Sequence, residues 1–115
     1  MLKTLLNSKI HRATVTEANL DYIGSITIDT QLMKEAGLDE NEQVHVLNIN
    51  NGNRFVTYVI PGEPGVICIN GAAAHLAKKD DLVIICSYIQ IKDEDVKKHK
   101  PKVVLVDHEN KILRT

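Results

Sequence analysis

The sequence predicts one small, mainly β domain that closes, or nearly closes, into a barrel. Apolar and polar residues alternate in segments such as Ile26-Thr27-Ile28 and Val44-His45-Val46, and this period of two is typical of strands. An Asn51-Gly52 pair lies between two β-rich segments. The chain has 115 residues, enough for a single hydrophobic core. About six short strands in so small a domain favour closure, because closure removes exposed sheet edges.

The clearest local prediction is a hairpin over Gln43–Ile60, because Asn-Gly is the favoured two-residue hairpin turn. The nearly continuous apolar run Leu82–Ile91 contains many β-branched residues and is typical of a strand buried on both faces. Shorter strands are predicted over Val66–Asn70 and Lys102–Val106. The charged segment Lys78–Asp81 is interpreted as a solvated surface loop.

Three short helices are expected between these strands. The first begins at the capping residues Asp29 or Thr30 and ends at Gly37, with apolar side chains on one side. The second is predicted over Ala72–Lys78. The third covers Asp93–Lys98, where acidic residues come first and lysines last, as the helix dipole favours.

Composition and charge exclude several classes of partner. Lys and Arg total 14 against 15 for Asp and Glu, so the basic excess of a nucleic-acid-binding protein is absent. The longest wholly apolar run, Leu82–Cys86, is far shorter than the roughly 20 residues of a membrane helix, and Met1–Ile10 does not resemble a signal peptide. Cys68 and Cys86 lack metal or redox spacing. We expect a cytoplasmic protein with two reduced, buried thiols, no metal, and neither nucleic acid nor membrane as partner.

The first candidate for chemistry is Tyr22-Ile23-Gly24-Ser25, directly before a predicted strand. Taken alone, a Gly-Ser pair is ordinary turn chemistry. The functional interpretation is that a strained Gly24 carbonyl lies against the Ser25 hydroxyl, which attacks it and converts the amide to an ester. Glycine suits this role because it tolerates strained conformations and close approach.

Two further segments carry cations on strand faces. Lys9 and His11 are two residues apart and share one face of a strand. Arg54 and Tyr58 likewise share a face, while Thr57 points the opposite way. An Arg can hold a carboxylate through two parallel hydrogen bonds, and a phenol can donate a proton. These segments suit a dicarboxylate, although a basic edge strand and ordinary strand residues remain the alternatives.

The last candidate is Asn70-Gly71-Ala72-Ala73-Ala74-His75, where a strand runs into a helix of small residues. Unpaired backbone N–H groups at a helix start favour anions, so this is a place where a carboxylate can dock. A plain turn followed by an alanine helix is the alternative.

Together, four motifs resemble the aspartate 1-decarboxylase family in the same order and register. The likeness runs from Leu5 to about Asp107, nearly the whole chain, and four motifs in register are far more specific than any one alone. One departure is Ile26, where some members have Cys. The motifs are Lys9-Ile10-His11-Arg12, Tyr22-x-Gly24-Ser25, Asn51-Gly52-x-Arg54-Phe55-x-Thr57-Tyr58 and Asn70-Gly71-Ala72-Ala73-Ala74.

The resemblance implies a double-psi β-barrel assembled as a homotetramer, with active sites between subunits. It implies self-cleavage between Gly24 and Ser25 into chains 1–24 and 25–115, which converts Ser25 to a pyruvoyl group. The implied reaction is decarboxylation of L-aspartate to β-alanine for pantothenate biosynthesis, with neither metal nor pyridoxal phosphate. Whether an accessory maturation protein assists cleavage is left open.

The resemblance also implies a role for each candidate residue. In turnover, the pyruvoyl group from Ser25 forms a Schiff base with the substrate, and Tyr58 donates a proton. The implied substrate-binding residues are Lys9, His11, Arg54, Thr57, Gly71, Ala72 and Ala73. Those implied to support cleavage are Tyr22, Thr57 and Asn70.

Two rival functions remain for such a sequence. An unprocessed barrel acting as a binding or scaffold module is one, and intact mass distinguishes it from a cleaved enzyme. A serine hydrolase built on Ser25 is the weaker alternative, because the Gly-x-Ser-x-Gly motif of such enzymes is absent.

Overall fold

The computed structural model describes residues 1–113, and most of them lie in or between β-strands. This confirms the prediction of a mainly β domain with a few short helices. The strands are β1 (Leu2–Thr14), β2 (Glu17–Asn19), β3 (Ser25–Asp29), β4 (Gln43–Asn48), β5 (Arg54–Gly62), β6 (Ile67–Asn70), β7 (Leu82–Lys92) and β8 (Lys102–Leu105). The one α-helix of the described chain, α1, covers Thr30–Ala36, and 3₁₀ helices cover Gly71–His75 and Asp93–Lys98.

All eight strands form one mixed sheet in the order β2-β6-β3-β5-β4-β7-β1-β8. Three neighbouring pairs are parallel, namely β1 with β8, β2 with β6, and β3 with β5. Inward side chains from both halves of this order meet in one hydrophobic cluster, which includes Ile10, Ile26, Val46, Ile69 and Ile85. The sheet therefore wraps around a single core, an arrangement compatible with the barrel that the resemblance implies.

The predicted hairpin is confirmed, with β4 and β5 antiparallel and Leu47 opposite Arg54. Its connection is longer than the predicted two-residue turn and spans residues 49–53. Asparagine side chains explain the difference. The Asn48 carbonyl Oδ1 accepts from the Asn50 amide at 2.9 Å, and Asn51 Oδ1 accepts from the Asn53 amide at 2.8 Å. Such local turns compete with a tighter hairpin.

Helix α1 is also confirmed, together with both of its predicted ends. The Asp29 carboxylate caps it by accepting from the Gln31 amide at 2.7 Å. Gly37 ends it in the left-handed conformation, with a φ of 71°, which glycine adopts without strain. No helix of residues 1–113 has the length and apolar character needed to cross a membrane.

The second predicted helix, Ala72–Lys78, is wrong in type and extent, because the chain forms a 3₁₀ helix over Gly71–His75 instead. Beyond His75, side chains form the hydrogen bonds with backbone groups that a longer helix would form internally. The Leu76 carbonyl accepts from the Asn48 amide Nδ2 at 3.1 Å, and the Lys78 amide donates to the Asp81 carboxylate at 3.0 Å. Asp81 is only 4% exposed, so the interpretation of Lys78–Asp81 as a solvated loop was wrong for this residue.

Strand β7 was predicted to be buried on both faces, which holds only for its first half. Beyond Ser87 its residues become exposed, including Tyr88 and Ile89. The pairing explains this change. Strand β4 pairs with β7 only as far as Cys86, whereas β1 pairs with it as far as Lys92. The second half of β7 is therefore a two-stranded arm with β1. Cys68 and Cys86 are free and buried, as expected.

Candidate active site

Ser25 lies where an exposed loop enters the sheet. It is the first residue of β3 and is 1% exposed, whereas Ile23 just before it is 79% exposed. Strand β3 lies between β5 and β6, and Ser25 is paired with Asn70, the last residue of β6. The Gly24-Ser25 peptide bond therefore joins an accessible loop to a fixed, buried hydroxyl.

The Ser25 hydroxyl is held by a network of side chains. Asn70 Nδ2 donates to Ser25 Oγ at 3.0 Å and to Thr27 Oγ1 at 3.0 Å. Ser25 Oγ itself donates to the Ile23 carbonyl at 3.3 Å. Since Asn70 is 2% exposed, a lost partner here would leave a buried polar group unsatisfied. The network orients the hydroxyl beside the Gly24 peptide.

Gly71 packs against Gly24 so closely that a larger residue does not fit. A Cβ atom on Gly71 would lie 2.6 Å from Gly24 Cα, 2.8 Å from Gly24 N and 3.0 Å from the Tyr22 carbonyl oxygen. Gly71 also has a φ of +68°, which residues with side chains rarely adopt. The start of the 3₁₀ helix thus supports the loop that contains the candidate cleavage site.

Tyr58 and Thr57 lie on opposite faces of β5, the parallel neighbour of β3. Ile26 is paired with Val59, the first pair of the β3–β5 register, so Ser25 and Tyr58 each directly precede a residue of that pair. Side chains alternate between faces, and Ile26 and Val59 both enter the core. Tyr58 therefore shares the outer face with Ser25. Thr57 makes no side-chain hydrogen bond to Gly24 within the described chain.

Lys9 and Arg54 lie on the same outer face of the sheet but on strands three apart, β1 and β5, and both are away from Ser25. Lys9 is paired with Cys86, and the positive charges of both Lys9 and Arg54 partly offset the burial that raises the pKa of the Cys86 thiol. Strand β1 is four strands from β3 in the sheet order, or about 19 Å along the sheet at ~4.8 Å per strand. Arg54 is four residues from Tyr58, roughly 13 Å along β5.

Neither of these two cations has a carboxylate partner in the described chain. Lys9 and Arg54 make no side-chain hydrogen bond or ion pair among residues 1–113. Lys9 is partly exposed and Arg54 is exposed. Unpaired cations on one face of a sheet attract anions.

His11 lies on β1, within a β-bulge. The β1–β7 register shifts between Ile10 and Ala13, and Arg12 adopts a φ of 65°. The His11 Nδ1 atom is buried without a hydrogen-bond partner in the structure. Burial chiefly lowers the pKa of His11, and the neighbouring charges of Lys9 and Arg12 lower it further. A neutral imidazole beside two cations is therefore favoured at neutral pH.

The remaining predicted residues surround the cleavage loop. Tyr22 is 56% exposed, and its backbone oxygen faces Gly71. Ala72 is exposed and Ala73 half-buried on the 3₁₀ helix. The structure thus brings Tyr22, Gly24, Asn70 and the Gly71–Ala73 segment to Ser25, whereas it keeps Lys9, His11 and Arg54 in a second region.

Sequence reasoning missed two residues of the Ser25 network. Thr27 accepts from Asn70 Nδ2 at 3.0 Å, and the Cys68 thiol donates to Asn70 Oδ1 at 3.1 Å. Each lies two residues from a predicted site residue and therefore shares its strand face. The spacing of two residues could have indicated that each shares a face with a site residue. It does not indicate which strands are neighbours in the sheet.

Similarity to known proteins identifies the class of protein to which this chain belongs. The family model described as aspartate decarboxylase matches residues 1–113. An aspartate 1-decarboxylase from Caldicellulosiruptor bescii is 60% identical, over 99% of this chain and 91% of that protein. Proteins of the same name from Acetivibrio thermocellus and Neisseria meningitidis are 61% and 56% identical, over 98% and 97% of this chain and 91% and 90% of theirs.

These matches establish both a class and a family. The chain is an enzyme, a carboxy-lyase. It belongs to the aspartate decarboxylase family, as its four sequence motifs predicted.

Proposed function

We propose that the chain is a precursor that cleaves itself between Gly24 and Ser25 and then decarboxylates L-aspartate to β-alanine, which supplies pantothenate biosynthesis. The observation that carries the proposal is the Ser25 hydroxyl, which is buried, bound by Asn70 and adjacent to an exposed loop. The substrate is inferred from the names of the relatives.

Cleavage begins with attack of Ser25 Oγ on the Gly24 carbonyl carbon, which exchanges the amide for an ester and frees the amine of residue 25. Elimination of the ester releases residues 1–24 with a Gly24 carboxylate and leaves a dehydroalanine on residues 25–115. Water then hydrolyses the dehydroalanine to a ketone and releases ammonia, so no further reactant is needed.

Neighbouring residues lower the barrier to this attack. The Asn70 amide donates to Ser25 Oγ, and a donor of this kind stabilises negative charge on the attacking oxygen. Thr57 lies on β5, the strand that pairs with β3, and its hydroxyl is proposed to polarise the Gly24 carbonyl. Gly71 and Tyr22 hold the loop in place through their close packing.

The pyruvoyl group fits the position of Ser25. Elimination carries Ser25 Oγ away on the Gly24 carboxylate, and the ketone oxygen would be bound to the α-carbon of residue 25. The Asn70 amide, which donates to Oγ before cleavage, would then be a donor beside this ketone. When present, the group supplies the electron sink that loss of carbon dioxide from an amino acid requires. Tyr58 shares the outer face with residue 25, which suits its role as proton donor in turnover.

Substrate binding needs residues that one chain keeps apart from Ser25. Lys9 and Arg54 are unpaired cations suited to the two aspartate carboxylates, with the neutral His11 beside them. Their distance from Ser25 along the sheet supports a homotetramer with active sites between subunits, in which the cations of one site come from a neighbouring chain. Backbone groups of Gly71, Ala72 and Ala73 complete the site from the Ser25 side.

Intact mass under denaturing conditions tests this function most directly. The purified protein should contain fragments 1–24 and 25–115, and the larger one should resist Edman sequencing because its N-terminal amine is gone. Carbon dioxide release from L-aspartate should scale with the cut fraction. A chain that stays uncut after prolonged warming, with and without cell extract, would favour the unprocessed binding module. Cleavage only with extract would indicate an accessory maturation protein.

A further inference from the structure

The Asn70 side chain contacts three other side chains, and two of them tolerate either orientation of its amide. Its Nδ2 faces the hydroxyls of Ser25 and Thr27, each at 3.0 Å. Hydroxyl groups both donate and accept hydrogen bonds. If the amide rotated by half a turn, Oδ1 would face the same hydroxyls and accept from them. The Ser25 hydroxyl also donates to the Ile23 carbonyl, but at 3.3 Å, which is longer than an ordinary O–H···O hydrogen bond. The two hydroxyls therefore only weakly fix which end of the amide faces Ser25.

Cys68 does distinguish the two ends. Its sulfur lies 3.1 Å from Asn70 Oδ1, two residues back on the same face of β6. A thiol is a donor and only a weak acceptor, so it favours the carbonyl end of the amide. With Oδ1 directed to Cys68, Nδ2 points to Ser25, and the attacking oxygen receives a hydrogen bond from Asn70 instead of donating one to it.

A second acceptor competes for the single thiol proton. The Glu17 carboxylate on β2, the titratable group that packs against this thiol, lies 3.8 Å from the sulfur. The shorter distance favours Asn70 Oδ1. Burial chiefly raises the pKa of the Cys68 thiol, and the negative charge of Glu17 raises it further. The thiol thus remains a protonated donor at neutral pH.

We infer that Cys68 is a positioning residue for self-cleavage, whose thiol orients the Asn70 amide so that its N–H end faces Ser25. The inference rests on the proposed cleavage at Gly24-Ser25 and adds a residue to it. Cys68 acts through Asn70 and touches no reacting atom.

Freshly purified, uncut precursor is warmed, and the cut fraction is followed by intact mass. Cys68→Ala should cleave roughly three- to tenfold more slowly, since a typical hydrogen bond contributes about 0.5–1.5 kcal/mol. Cys68→Ser restores a donor and should return the rate to within about twofold of wild type, as expected for one similar hydrogen bond. Cys86→Ala removes the other buried thiol and should leave the cleavage rate unchanged. Glu17→Gln should also cleave normally, because the Asn70 contact is the shorter one.

The pH profile distinguishes orientation from packing. A thiolate cannot donate, so cleavage of the wild type should fall relative to Cys68→Ser above the raised pKa of the thiol, beyond its ordinary value of about 8.5. The serine hydroxyl does not ionise there. A merely structural role would leave the ratio of the two rates constant with pH.

The possible failures are distinguishable. An uncut wild-type chain overturns the proposed function and this role with it. A cut wild type together with wild-type rates in Cys68→Ala overturns the role of Cys68 alone, as does a Cys68→Ser variant as slow as Cys68→Ala.

Discussion

The Ser25 region and the cation region differ in how completely one chain builds them. Around Ser25, Asn70, Thr27 and Cys68 satisfy one another through hydrogen bonds of 3.0 to 3.1 Å. Around Lys9 and Arg54, the described chain provides no anionic partner, and His11 keeps a buried, unpaired Nδ1. The polar side chains of the first region are paired with one another, whereas the cations of the second are not.

This difference indicates a division of labour between maturation and turnover. The proposed cleavage uses groups on and beside β3, β5 and β6, which are neighbouring strands of one folded chain. Decarboxylation also needs cations that lie along the sheet from Ser25. Variants in the two regions should therefore fail at different stages, which the following measurements examine.

The largest effect is expected for Ser25→Ala. The variant loses the attacking hydroxyl while Ile26 and the rest of the core are untouched, so it should fold and remain an intact chain without activity. Intact mass and circular dichroism measure the two properties. Detectable decarboxylation by this uncut variant would refute the pyruvoyl mechanism.

Arg54→Ala should affect turnover alone. Truncating one partner of a desolvated charge pair costs about 2–5 kcal/mol, so kcat/KM for aspartate should fall by that equivalent. Cleavage at Gly24-Ser25 should proceed, because Arg54 lies away from the Ser25 network. Little change in kcat/KM for a fully cut Arg54→Ala protein would contradict its role.

Co-expression of Ser25→Ala with Arg54→Ala tests whether one active site uses two chains. Each variant alone should be inactive or nearly so. In mixed oligomers, some sites would combine an intact Ser25 from one chain with an intact Arg54 from another, and part of the activity should return. If both residues of a site come from the same chain, no mixture can restore activity.

The sequence correctly predicted elements whose ends are set by neighbouring residues. Its predictions were wrong where contacts with residues distant in sequence set the extent or exposure of an element. Helix α1 was predicted with both ends, because the Asp29 cap and Gly37 are local features. The prediction of a helix over Ala72–Lys78 was wrong because side chains outside this segment bind its backbone. Asn48, which is distant in sequence, donates to the Leu76 carbonyl, and Asp81, three residues beyond the predicted end, accepts from the Lys78 amide. The exposed arm of β7 depends on where β4 stops pairing, which no pattern within β7 reveals.

The candidate site shows the same limit. Family motifs identified Ser25, Asn70 and the cations, but Cys68 and Thr27 became visible only through strand pairing. The separation of Lys9 from Ser25 likewise depends on the sheet order, because β1 and β3 are close in sequence and four strands apart.

Tyr58→Phe and Thr57→Val separate maturation from turnover on a single strand. Tyr58→Phe keeps the ring but removes the acidic proton, so cleavage should proceed while turnover falls by about 10² or more, the usual scale for a general acid. Thr57→Val keeps the shape but removes the hydroxyl that is proposed to polarise the Gly24 carbonyl, so uncut precursor should persist. Carbon dioxide release per mole of pyruvoyl group, with cut and uncut chains quantified by mass, distinguishes them. The reverse pattern would refute this division between the two faces.

Gly71→Ala should slow cleavage by roughly 10- to 100-fold, because a non-glycine residue at positive φ costs about 1–3 kcal/mol and its Cβ would displace Gly24. Gly52→Ala is the matched control. Gly52 has a similar φ of +77°, but nothing lies within 4 Å of its Cβ position. Both variants place a side chain at positive φ. The cut fraction is measured by mass during warming, and slower cleavage in Gly71→Ala alone would show that the contact with Gly24 is responsible. Equal rates would show that this contact does not matter for cleavage.

The smallest effect is expected for His11, as a dependence of stability on pH. Its pKa is lowered in the folded chain, so as pH falls the unfolded chain binds the proton first, near its ordinary value of about 6.5. The stability that neutral His11 allows is therefore present above that pH and is lost as pH falls through it. Urea unfolding of the uncut Ser25→Ala precursor at fixed concentration, between about pH 7.5 and 5.5, measures this loss. Adding His11→Gln should make the unfolding free energy fall less steeply, whereas adding His75→Gln, which removes an exposed histidine, should change the slope less. If both additions leave the slope unchanged, protonation of His11 does not contribute to the loss of stability at low pH.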